Sequence, residues 1–206
     1  MNFDMKSVDC NVLLRSFAIC LVVVNHSIWI DLGGGMNFLL LLSGFNFARF
    51  SLIKNKSEAI YDLWKLVYKI VIPSLLIILL YSFINERMRV EEILMFSNFM
   101  YLNKVTDIAL PIWYPQVLLQ LVIIISFLLY VTPEINKESR GYVIISFYFG
   151  SLVIYEVSKQ LYDSSHLLNR IPTLHLWNFV LGWVLWILLE DKNFINKSIS
   201  SFIVFI

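Results

Sequence analysis

Residues 12–30 read VLLRSFAICLVVVNHSIWI. A run of this length and apolarity, wound as a helix, crosses a hydrocarbon core of about 30 Å. Only two of its residues, Arg15 and His26, are ionisable. They stand eleven positions apart, about 20° beyond three full turns, and so share one helix face some 16 Å apart along the axis. Ionisable groups at membrane depth are costly and face a bundle interior or a wet cavity, which makes both functional candidates. No basic leader or A-x-A-like cleavage site accompanies the run, so it reads as a retained first span.

Outward from this stretch the same pattern repeats. Five further apolar runs, at 36–53, 63–84, 113–131, 141–157 and 174–189, predict an all-α, polytopic transmembrane helix bundle of six spans. Pro73 falls inside the third run, where neighbouring helices can answer the carbonyl it frees. Residues 87–111 are apolar but punctuated by Glu91, Glu92, Lys104 and Asp107, and read as an interfacial or re-entrant segment. Residues 198–206 begin another apolar run whose helical rise, about 13 Å, covers less than half the core. We expect a partial seventh span there, a chain that is fragmentary or truncated, and a single membrane domain over 1–206.

Composition agrees with a membrane protein. Hydrophobic residues make up 59% of the chain and charged ones 15%, against about 25% charged in soluble domains, and mean hydropathy is +0.74. A net charge of +1 offers no polyanion-binding surface, which argues against nucleic acid as a partner. Cys10 and Cys20, ten positions apart on one helix, cannot bridge each other. No His/Cys/Asp/Glu set has metal-site spacing, and no nucleotide-binding loop is visible. With the N-terminus inside, eleven of the sixteen Lys and Arg lie on the cytoplasmic side and five outside, the asymmetry that orients membrane proteins. His175, beside Trp177 and Trp183, reads as an aromatic-belt anchor at the outer interface.

Gly33-Gly34-Gly35 makes a tight turn after the first span, and Ser43-Gly44 lies deep in the second, where small residues admit a neighbouring backbone or a ligand. Taken together, Leu14-Arg15-Ser16-Phe17-Ala18, His26, the Gly-rich turn and Leu42-Ser43-Gly44-Phe45 resemble the opening of the acyltransferase 3 family of integral-membrane O-acyltransferases. The likeness continues more loosely at Ile112-Trp113-Tyr114 through Gln120, and at Arg170-Ile171-Pro172 with Phe179-Val180-Leu181-Gly182. The chain departs from the family in supplying fewer spans. It also has Leu118 and Leu119 where many members carry glutamate, and it lacks the second arginine often found near Arg49.

The resemblance implies transfer of an acyl group, acetyl foremost, from acyl-CoA to a hydroxyl of a carbohydrate or similar acceptor. It implies no bound cofactor and no metal. His26 is the expected catalytic residue, as general base for the acceptor hydroxyl or as the nucleophile of an acyl-histidine intermediate. Arg15 would hold the anionic part of acetyl-CoA at the cytoplasmic mouth, and Ser43, Gly44, Arg49, Trp113 and Gln120 would line the donor or acceptor path. The implied location is a bacterial inner membrane. Two other readings stay open from the residues alone: a non-enzymatic translocator lined by the polar face of the first span, and an inactive remnant.

Overall fold

The computed structural model describes residues 10–27, 34–86, 89–100, 113–132, 139–162 and 170–190. Every regular element among them is helical. They are α1 (Cys10–Ser27), α2 (Gly35–Phe50), α3 (Lys56–Ile84), α4 (Val90–Ile93), α5 (Ser97–Met100), α6 (Trp113–Val131) and α7 (Arg140–Tyr162). A 3-10 turn (Pro172–Leu174) then leads into α8 (Leu176–Glu190). The stretches Lys56–Ile84, Tyr114–Val131, Arg140–Leu161 and Pro172–Leu189 are long and apolar enough to cross a membrane. This is an all-α membrane protein.

The expected spans map onto these helices with shifts that have local causes. The third begins at Lys56, not at residue 63, because the Asn55 side chain accepts the Glu58 N–H at 2.9 Å and returns a bond to the Glu58 carboxylate at 2.8 Å. This reciprocal cap starts the helix a turn and more ahead of its apolar face. Pro73 does not end α3, which is 29 residues long and continues past it to Ile84. The fifth run is extended to Tyr162. Of the first two expected spans, the described part of α1 is apolar over Val12–Val24, and α2 is a shorter helix of 16 residues. The stretch read as re-entrant contains α4 and α5, each a single turn. The partial seventh span at 198–206 lies outside the described residues.

α2 sits between α1 and α8, α8 packs in turn on α7, and α3 packs on α6. Lys56 Nζ donates to the Tyr130 carbonyl at 2.7 Å, so the start of α3 meets the end of α6 and the two run antiparallel. Gly35 lies against Leu21 and Val22, so α1 and α2 also run antiparallel. α2 and α8 are parallel, because Asn37 meets His175 and Asn178 while Gly44 meets Phe179 further down both helices. One apolar core, with Leu40, Leu63, Leu121, Phe179 and Trp183 among its fully buried members, unites α2, α3, α6 and α8.

Candidate functional site

The site is organised by the crossing of α2 and α8. Positions 37, 41, 44 and 48 recur at helical spacing and form one stripe of α2. Gly44 in that stripe lies directly on the Phe179 backbone, and Gly182 of α8 lies on the backbone of Leu41, Gly44 and Phe45. Neither place has room for a Cβ. The Ser-Gly-Phe and Phe-x-x-Gly segments singled out in the sequence are thus the two halves of one contact. Phe47, Phe179 and Trp183 close it with ring centroids 5.6–6.2 Å apart.

At the N-terminal ends of both helices the stripe becomes polar. His175 Nδ1 lies 3.0 Å from Asn37 Oδ1, and Asn178 Nδ2 donates to the same oxygen at 3.2 Å. Asn37 Oδ1 thus accepts from Asn178, and it accepts from His175 Nδ1 as well when that nitrogen carries the ring proton. In that tautomer the lone pair is on Nε2. His175 also begins α8: its carbonyl accepts the Asn178 and Phe179 N–H groups, and its own N–H donates to Pro172. Its side chain is buried at 8% exposure, so it is an oriented interior histidine and not the interfacial belt residue expected from its aromatic neighbours. The spacing His175-x-x-Asn178, three apart on one helix face, was the available signal.

A second polar group lies deeper. The Ser43 side chain lies next to the Tyr114 hydroxyl, and the charge of Arg15 is close enough to act on the same hydroxyl. The register explains the meeting. With Val22 beside Gly35, seven residues back along α1 and seven or eight forward along α2 bring Arg15 level with Leu42 and Ser43. Arg15, exposed in the second turn of α1, is thereby level with Ser43 of α2. Tyr114 was missed in the sequence, although it directly follows the Trp that leads this segment.

The other expected site residues are placed as follows. His26 belongs to the last turn of α1, at the same end of the bundle as Asn37 and His175; its side chain lies outside the described residues, as does that of Trp113. Arg49 is exposed in the last turn of α2, its guanidinium 5.1 Å from the Phe50 ring centre. Gln120 makes a reciprocal amide pair with Asn98, both bonds 2.8 Å, and donates to the Met95 carbonyl at 2.9 Å. Gln116 adds bonds to Ser97 Oγ and the Asn98 N–H, and Asn98 donates to the Arg170 carbonyl at 2.9 Å. These amides dock the α4–α5 segment into the bundle, which gives Gln120 a positioning role. Beside it, Glu92 is 4% exposed, and burial raises its pKa above the ordinary carboxyl value although Arg89 opposes the shift from 3.8 Å. No group of His, Cys, Asp and Glu among the described residues could hold a metal ion. No family model, curated protein or solved structure matches this chain.

Proposed function

We propose that this chain is the catalytic core of a multi-pass membrane O-acyltransferase that moves an acyl group, acetyl foremost, from acyl-CoA to a hydroxylated acceptor such as a carbohydrate. The observation that carries the reading is the buried imidazole of His175, with Nδ1 3.0 Å from Asn37 Oδ1, at the N-terminal end of the helices that cross at Gly44 and Phe179. An amide-oriented imidazole is an arrangement that acyl-transfer sites use repeatedly. In this reading α1 and α2 join the four long helices as spans, and the N-terminus is cytoplasmic in a bacterial inner membrane.

The chemistry balances with these residues. An imidazole takes the acceptor's hydroxyl proton as the oxygen attacks the thioester carbonyl. The tetrahedral intermediate collapses, the carbon–sulfur bond breaks, and the CoA thiolate leaves and recovers a proton. His26, at the same bundle end, is the second candidate for that base or for an acyl-histidine. Arg15, with Tyr114 and Ser43, supplies positive charge and hydroxyl donors deeper in the bundle, suited to the donor's anionic and carbonyl groups.

The test is release of free CoA from acetyl-CoA by the purified chain in nanodiscs, with a panel of hydroxylated acceptors. The His26→Ala, His175→Ala and double variants are compared with wild type. Acceptor-dependent release that falls about 10²-fold or more in at least one single variant supports the reading. Release unchanged in the double variant, or absent from wild type with every acceptor, overturns it.

A further inference from the structure

The N-terminal half of α3 carries two lysines on its outward face. Lys65 and Lys69 are one turn apart and exposed, opposite the buried Leu63 and Val67. Tyr61 and Tyr68 are exposed beside them, and the stripe continues at helical spacing through exposed Ile72 and Leu76. Ser51 Oγ and Lys54 Nζ both donate to Asp62 Oδ2, at 2.8 and 2.7 Å, so the end of α2 is level with Asp62. At 1.5 Å per residue, Lys65 and Lys69 stand about 4.5 and 10.5 Å further along α3, within its apolar span. Residues 49–69 hold Arg49, Lys54, Lys56, Lys65 and Lys69 against Glu58 and Asp62 alone. Asp62 is taken by Lys54 and Ser51, Glu58 by the Asn55 cap, and Lys56 by the Tyr130 carbonyl. Among the described residues, no carboxylate forms an ion pair with Lys65 or Lys69.

A lysine on the lipid side of a span is costly unless its amine leaves the hydrocarbon. Helical side chains lean toward the helix N-terminus, so both amines reach back toward the end of α2 while their stems stay on the apolar stripe. Two unpaired cations at the edge of the span call for an anionic partner. A second copy of this chain does not fit, because a two-fold contact through this face sets the lysines against their own copies. An anionic phospholipid does: its phosphate sits at the membrane edge that the amines reach, and its acyl chains run along Ile72 and Leu76. A cluster of four to eight basic residues at the end of a span is a recognised attractor of such lipids. We infer that this face of α3 is a binding site for the headgroup of an anionic phospholipid, held by Lys65 and Lys69. No residue proposed for acyl transfer lies on α3, so the two proposals stand or fall separately.

The experiment offers the full chain, purified in detergent, an equimolar mixture of phosphatidylglycerol and phosphatidylcholine and counts retained lipid by native mass spectrometry. Preferential retention of phosphatidylglycerol is expected, about fivefold for each lysine engaged. The preference should shrink as ionic strength rises. Lys65→Gln combined with Lys69→Gln should abolish it, whereas Lys65→Arg combined with Lys69→Arg should keep it. Lys159→Gln should leave it unchanged, because Lys159 is exposed in the last turn of α7, beside the Ser158–Thr173 contact at the other end of the bundle. Equal retention of the two lipids by the wild-type chain, or a preference undiminished in the double glutamine variant, overturns the inference. So does disulfide formation between two copies carrying Ile72→Cys in a background with Cys10 and Cys20 replaced by serine, which would place a second copy on this face.

Discussion

A Cβ placed on Gly44 would collide with the carbonyl oxygen of Phe179 and come within 2.8 Å of its carbon. The obstacle is backbone, so relief requires α2 and α8 to separate. Gly44→Ala should destabilise the protein by about 1–3 kcal/mol, as overpacking does. Gly150→Ala should do the opposite by roughly 0.5–1 kcal/mol, since its surroundings are open and alanine is the better helix former. Thermal unfolding of the two variants in one detergent checks the contrast; equal shifts would refute the contact.

Asn37 is the hydrogen-bond partner of His175 Nδ1. Asn37→Leu removes the acceptor for both Nδ1 and Asn178, whereas Asn37→Asp keeps an acceptor at that place. We expect acyl transfer to fall by about 10²-fold or more in the leucine variant and to be largely retained in the aspartate variant. Loss of CoA release in both, with normal abundance, would remove orientation of the imidazole as the explanation.

Glu92 titrates to the protein's disadvantage. Its folded pKa is raised by burial, so the folded state favours the proton more than the unfolded chain does. That contribution to stability is complete below the ordinary carboxyl value of 4.5 and is lost as pH rises through the raised folded value. Glu92→Gln should flatten this decline and raise the melting temperature at neutral pH. A melting curve that depends on pH identically in the two proteins counts against a buried Glu92.

The two ends of α3 should face opposite compartments. In a background with Cys10 and Cys20 replaced by serine, a membrane-impermeant thiol reagent added outside should label Asn85→Cys and miss Ile53→Cys, both positions being exposed. The reverse pattern would invert the orientation drawn from the Lys and Arg distribution.

The helical class, the membrane setting and most helix positions were legible in sequence because they depend on local properties: runs of apolar side chains, and the caps that begin a helix. The Asn55–Glu58 cap that starts α3 early is itself a local signal that apolarity alone passes over. The Ser43-Gly44 and Phe179-x-x-Gly182 segments were also visible as small residues at depth, although nothing in one dimension joined them. Tertiary structure decided what the polar residues do. His175 and Asn37 are 138 positions apart, and Gln120 and Asn98 are 22 apart. Such pairs are chosen by which helix faces meet, and helical periodicity defines faces without saying what lies across from them. Arg15 is the sharpest case: its own helix shows only that it is costly to bury, while the register of α1 against α2 brings it level with Ser43 and Tyr114.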